Sequence, residues 1–190
     1  LRPELLLGVK EAGYAEMTAI QEEGLPPMLD GRDVIGQAKT GSGKTAAFGL
    51  ALLNTLDTKD LTPQALVLCP TRELADQVAD ELRKLAKRIS NTRIVTLCGG
   101  RPYRNQMLAL EHGNHVIVGT PGRILKHLDK GNLHLGDLSV VVLDEADRMM
   151  DMGFIDQVQD ILRWAPRKRQ TLLFSATFPD EIKRLSGSIQ

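Results

Sequence analysis

What most constrains this chain is a series of short apolar runs in which polar residues do not alternate. Six stand out: DVIGQ (33–37), ALVLC (65–69), RIVTL (93–97), HVIVG (115–119), SVVVLD (139–144) and TLLFS (171–175). A strand with one wet face alternates apolar and polar side chains, whereas a strand that is apolar throughout must be covered on both faces. Such strands belong to parallel sheets, whose crossovers lay helices over each face. Segments of helical period separate the runs. The clearest spans 72–89, with Leu74, Val78, Leu82, Leu85 and Ile89 on one stripe. Repeated β-then-α order predicts an α/β fold with a doubly wound, mostly parallel sheet. With 190 residues and no long linker, internal repeat or low-complexity tract, one domain over 1–190 is expected.

Sheets of this kind bind ligands beyond the carboxyl ends of their strands, so function is sought in the residues just after each run. After DVIGQ comes AKTGSGKT, Ala38 to Thr45. It matches the phosphate-cradling pattern G-x-x-x-x-G-K-[ST] except at Ala38, which replaces the leading glycine. Alanine is compatible there if its φ is negative, because only a left-handed position demands glycine. Gly41 and Gly43 let the backbone of Lys39, Thr40, Gly41, Ser42 and Gly43 turn its N–H groups inward, toward phosphate oxygens. A helix beginning near Lys44 adds the positive end of its dipole. Lys44 then neutralises the β and γ phosphates, and Thr45 offers its hydroxyl to Mg²⁺.

After SVVVL come Asp144, Glu145, Ala146 and Asp147. An aspartate at the tip of a buried strand, near such a loop, suits Mg²⁺ held largely through water. Glu145 beside it is placed to orient and deprotonate an attacking water, or to help hold the metal, which points to hydrolysis. The plainer alternative is an acidic first helical turn, which requires no partner lysine.

Composition limits the partners. Twenty-four Lys and Arg balance twenty-four Asp and Glu, so a polyanion must be held by a local patch or by backbone groups. Aromatics are only 4%, too few for a base-stacking platform. No apolar run reaches membrane-spanning length and no cleavable leader opens the sequence, so a cytoplasmic chain without membrane association is expected. Cys69 and Cys98 each close an apolar run and read as buried free thiols in a reducing compartment. The chain begins with Leu1 in place of Met, as a piece cut from a longer protein would.

AKTGSGKT together with DEAD resembles the DEAD-box RNA helicases, and other elements agree in order: PTRELA (70–75), GG (99–100), TPGR (120–123), DEADRMMDMGF (144–154) and SAT (175–177). Ala38 is what this family carries at its position. The resemblance covers the whole chain and implies a RecA-like P-loop NTPase domain that uses ATP and Mg²⁺, with RNA as partner. It implies that Gln21, in GYAEMTAIQ, contacts the adenine edge, with Thr18 beside it and Tyr14 as the nearest ring. By residue type alone, Thr18 to Gln21 also reads as a capping box, with the threonine capping and the amide turned outward. It implies that Pro70, Thr71, Arg72, Glu73, Gly99, Gly100, Thr120, Pro121, Gly122 and Arg123 line an RNA strand. Helix N-terminal amides, hydroxyls and arginines at strand ends suit sugar–phosphate contact without sequence preference.

The resemblance also makes Asp147, Ser175 and Thr177 a coupling element, with the two hydroxyls bonded to Asp147. A second RecA-like domain is implied beyond Gln190, bringing arginines that contribute a factor on the order of 10³–10⁵ to such reactions. This domain by itself is therefore expected to hydrolyse ATP poorly. Several stretches lie nearest a bacterial member that acts on ribosomal RNA, which implies large-subunit assembly as the setting. Two rivals remain. A GTPase would need an N-K-x-D base reader, which the chain lacks, and a kinase would have no use for Glu145; a non-catalytic, nucleotide-gated RNA clamp stays open.

Overall fold

The computed structural model describes all residues from Leu1 to Gln190. Its centre is a sheet of six strands: β1 (Val34–Gln37), β2 (Ala65–Leu68), β3 (Ile94–Leu97), β4 (Val116–Gly119), β5 (Val140–Leu143) and β6 (Gln170–Ser175). They lie in the order β1-β6-β5-β2-β4-β3, and every pairing is parallel. Each lies within a residue of an apolar run. Strands β2, β4, β5 and β6 are buried along their whole length, as runs without polar alternation require; β1 and β3, at the edges, are partly exposed.

Successive strand residues feed two separate cores. Val67, Val118, Val142 and Phe174 face the first, under α1 (Pro3–Glu11), α2 (Ala19–Leu29), α3 (Lys44–Asn54) and α4 (Arg72–Leu85). Leu66, Ile117, Val141 and Leu173 face the second, under α6 (Pro121–Asp129), α7 (Ala146–Asp151), α8 (Ile155–Arg163) and α9 (Asp180–Ile189). A short α5 (Tyr103–Glu111) leads into β4 and sends Leu110 to the second core. The winding explains the division. From β1 to β2 to β3 the chain steps outward toward one edge, and from β3 to β6 it steps back. Right-handed crossovers then put α3 and α4 on one face, and α5 to α8 on the other.

Two expectations change in detail. The sheet is wholly parallel. And α4 stops at Leu85, not Ile89. The N–H groups of Lys87 and Ile89 donate to the carbonyls of Lys84 and Ala86, so tight three-residue turns replace the helix and still carry Ile89 into the core. Both cysteines are buried, unpaired thiols. No helix is long and apolar enough to cross a membrane.

Candidate functional site

A parallel sheet gathers all its carboxyl ends along one edge, and backbone bonds lock those ends side by side. Ala38 N–H donates to the Ser175 carbonyl at 3.0 Å, Asp144 N–H to Leu68 at 3.0 Å, and Cys69 N–H to Gly119 at 2.9 Å. The loops after β1, β2, β4, β5 and β6 therefore keep fixed relative positions.

The loop from Ala38 to Gly43 wraps the start of α3. Ala38 is buried without a left-handed backbone, so a leading glycine is not required. Gly43 caps α3 at φ 83°, and a Cβ there would stand 2.7 Å from both Thr18 Oγ1 and Gln21 Nε2. That position has no room for a side chain. Lys44, the first residue of α3, is 4% exposed and reaches Asp144, which is fully buried, with Nζ 2.9 Å from Oδ1. The contact is ionic: neither Nζ nor either carboxylate oxygen has an aligned hydrogen-bond partner, and the nearby Ser42 hydroxyl is also unpaired. Burial lifts the Asp144 carboxyl above its ordinary range even though the Lys44 charge pulls the other way.

Glu145 follows at φ 55° and ψ 54°, a left-handed conformation that costs a non-glycine residue about 1–3 kcal/mol. This turn brings its carboxylate within 4.0 Å of Lys44 Nζ. A cavity of about 230 Å³ opens between Thr40–Thr45 and the α4 residues Leu74, Gln77, Val78 and Glu81. Lys44 lines it, and the buried groups without a hydrogen-bond partner (Ser42 Oγ, Lys44 Nζ and the Asp144 carboxylate) suit a ligand that carries anionic oxygens with a divalent cation. No cluster of three His, Cys, Asp or Glu exists, so such a cation would take only Thr45 and Asp144, with Glu145 near, from the protein. That sparse oxygen set suits Mg²⁺, which keeps waters and shares phosphate oxygens.

Gln21 closes the expected capping box with Thr18, but its amide does not turn outward. Its carboxamide turns inward: Oε1 accepts from the Thr18 N–H at 2.9 Å, and Nε2 donates to the Gly43 carbonyl at 3.0 Å. The closing half of a capping box and a brace on the glycine loop are thus one side chain, because the Gly43 carbonyl, which also accepts from the Ala47 N–H at 3.3 Å, lies just where α2 begins. Tyr14 and Gln21 line a neighbouring cavity of about 170 Å³, with Met17, Leu25, Ala46 and Leu50 supplying apolar walls. The Tyr14 hydroxyl donates to Glu81, and burial with that carboxylate raises its ionisation well above the ordinary value.

Asp147 is joined to β6 as expected, with one change of partner. Thr177 donates to its Oδ2 from both N–H (3.1 Å) and hydroxyl (2.9 Å), while the Ser175 hydroxyl accepts from the Asp147 N–H at 3.1 Å and donates to the Thr177 carbonyl at 2.6 Å instead of to the carboxylate. Against the opposing pull of burial, these hydrogen bonds hold the Asp147 carboxyl below its ordinary value.

A second surface runs along the other strand ends. Thr71 caps α4, its hydroxyl accepting from the Leu74 N–H at 3.2 Å. Arg72 lies against Gly100, where a Cβ would come 2.9 Å from its Nη1 and where φ is 81°. Thr120, in extended conformation, precedes α6. Arg123 donates to the Arg101 carbonyl at 3.0 Å. Thr71, Arg72, Glu73, Gly99, Gly100, Thr120, Gly122 and Arg123 are exposed or half-buried, whereas Pro70 and Pro121, expected among the contacts, are buried and set the turns.

Residues 18–185 match the family model of the DEAD/DEAH box helicases. The chain belongs to that family. It is 57% identical over its whole length to the ATP-dependent RNA helicase DbpA of Escherichia coli, and spans 42% of that protein. Among solved structures it superposes on a DEAD box protein of Methanococcus jannaschii with a TM-score of 0.95 and 40% identity, covering all of this chain and 52% of that one. A helicase described as hypothetical, from Sulfolobus tokodaii, gives 0.90 and 37%, again over all of this chain and 55% of the other. The RecA-like α/β architecture of the DEAD-box proteins is therefore this chain's own.

Sequence reasoning missed Gln77 and Glu81, which face the cavity beside Lys44, and Arg101 and Gln106, which hold the second surface. Positions 74, 77, 78 and 81 share one helix face by spacing, so the first pair was within reach. The second pair depends on contacts between distant loops and left no local signal.

Proposed function

We propose that this chain is the ATP-binding domain of an ATP-dependent RNA helicase, working with Mg²⁺ and a second RecA-like domain. The buried 2.9 Å contact of Lys44 with Asp144, beside a glycine-capped helix start, carries the reading. Family membership supports it, as does the fact that the chain spans under half of the E. coli relative.

The N–H groups of the phosphate loop and Lys44 bind the β and γ phosphates. Thr45 and Asp144 hold Mg²⁺, with Glu145 beside them. Magnesium-bound ATP supplies the activated phosphoryl group. Glu145, whose left-handed backbone holds its carboxylate beside Lys44, orients the attacking water and takes its proton as the bond from the γ phosphorus to the leaving ADP oxygen breaks. Gln21 braces the loop from the adenine side, next to the Tyr14 cavity. Asp147 carries the state of the nucleotide side to β6 through Thr177 and Ser175. RNA lies along Thr71, Arg72, Gly99, Gly100, Thr120, Gly122 and Arg123, read by its backbone and not by its bases. A neutral chain grips a polyanion in this way because helix starts, with Arg72 and Arg123, supply local positive potential. Likeness to DbpA suggests ribosomal RNA of the large subunit as the setting and the cytoplasm as the place.

Glu145→Gln in the complete protein tests the proposal. RNA-stimulated hydrolysis and repeated duplex separation should be lost together while ATP still binds. Duplex separation continuing at the unmutated rate without hydrolysis would replace helicase by nucleotide-gated clamp.

A further inference from the structure

We propose that Gln106, a residue of α5 outside the strand-end loops, is the positioning residue that sets Arg123 and the Gly99–Gly100 loop in register for RNA. The inference rests on the reading of Arg123 and that loop as RNA contacts. Gln106 is 6% exposed and its carboxamide is fully committed. Nε2 donates to the Cys98 carbonyl at 3.0 Å, on the residue that enters the glycine pair. Oε1 accepts from Arg123 Nη1 at 3.1 Å and faces His127 Nε2 at 2.7 Å.

Only one amide orientation satisfies all three partners, since the reverse would set an NH₂ group against two donors. The imidazole is equally constrained. His127 is fully buried, and burial, with Arg123 and Lys126 nearby, lowers its ionisation to about 4, so it is neutral at pH 7. Facing a carbonyl oxygen, Nε2 carries the proton; Nδ1 then accepts from Asn132 at 3.2 Å. The Tyr103 ring stacks on His127 with centroids 4.4 Å apart and lies under both Arg123 and Lys126.

Arg123 is thus gripped through Nη1 alone, by Gln106 and the Arg101 carbonyl, while Nε and Nη2 make no hydrogen bond within the protein. A guanidinium fixed on one side and open on the other presents two donors to phosphate oxygens with little ordering left to do. Gln106 spans from the end of β3 to α6 to achieve this, so loss of its side chain leaves Arg123 held only by the Arg101 carbonyl and the Tyr103 ring and loosens its register with the glycine loop, without removing any group that touches RNA.

The test measures binding of a short fluorescent oligouridylate to the protein, Gln106→Leu, Arg123→Ala and the double variant, over a salt series. Gln106→Leu should weaken binding about tenfold, the effect of losing one charge-assisted contact. The slope of log K against log salt should fall by up to about one, as for Arg123→Ala. The double variant should be no weaker than Arg123→Ala, and nucleotide affinity and far-UV dichroism should be unchanged. Gln106→Met, which preserves length, gives the same pattern if the leucine variant does not fold. A Gln106 loss that persists in the Arg123→Ala background, or Gln106→Leu binding like the unmutated protein while Arg123→Ala does not, overturns the proposal alone. Arg123→Ala binding RNA normally removes the underlying RNA reading instead.

Discussion

Replacing Lys44 by methionine isolates what the buried ion pair does for stability. The two side chains fill similar volumes, so packing is nearly conserved while the charge is lost. Asp144 is fully buried and Lys44 is 4% exposed, so the aspartate left behind has neither water nor partner. Breaking a buried pair from one side costs about 3–5 kcal/mol, which in a domain of this size lowers Tm by roughly 6–20 °C. The loss depends on pH, and its sign is set by Asp144. Its folded carboxyl ionises above the ordinary range because of burial, so the folded chain holds that proton more tightly than the unfolded chain. Stability contributed by such a group is present below the unfolded value and is lost as pH rises through the folded one. Removing Lys44 takes away the opposing pull and extends that window upward. Thermal unfolding monitored by dichroism at about pH 4 and about pH 8 should therefore give a small deficit at the acid value and the full deficit at the alkaline one. Lys44→Met with Asp144→Leu should recover most of the stability, since apolar replacement of both partners leaves no buried charge. Equal stability of Lys44→Met and the unmutated chain at both pH values would refute the burial argument.

The same site yields other expectations. Glu145→Gln should cut RNA-stimulated ATP turnover by about 10²–10⁴-fold, the usual contribution of a general base, with nucleotide affinity measured by titration calorimetry retained. Gly43→Ala should abolish nucleotide binding and lower Tm, because the added Cβ meets Thr18 and Gln21 at 2.7 Å and φ is 83°; normal binding by this variant would contradict the packing described. Gln21→Ala removes both the Thr18 N–H bond and the Gly43 brace, so ATP affinity should fall in competition binding, and any preference for ATP over GTP should fall with it. Equal binding of ATP and GTP by the unmutated chain would show that Gln21 reads no base.

The strands were legible because burial on both faces leaves no polar alternation: ALVLC, HVIVG and SVVVLD became β2, β4 and β5 almost residue for residue. The meeting of the glycine loop with Asp144 was legible because each comes directly after a strand, and a parallel sheet delivers both to one edge. Strand order was not readable, since nothing local in DVIGQ says that it pairs with TLLFS. The end of α4 was misjudged because Ile89 keeps the helical stripe while leaving the helix. Gln21 was turned the wrong way because its partner, the Gly43 carbonyl, lies 22 residues away in sequence. Gln106, on α5, joins Cys98 at the end of β3 to Arg123 and His127 of α6, a convergence that exists only after the chain has folded.

Calorimetric titration of ATP into the unmutated protein and into Asp144→Asn, each with and without Mg²⁺, bears most directly on whether Lys44, Thr45 and Asp144 enclose one metal–triphosphate. Magnesium should tighten ATP binding to the unmutated protein and leave Asp144→Asn unaffected. An equal magnesium effect in both proteins, or none in either, would mean that the ion and the triphosphate do not meet at Asp144.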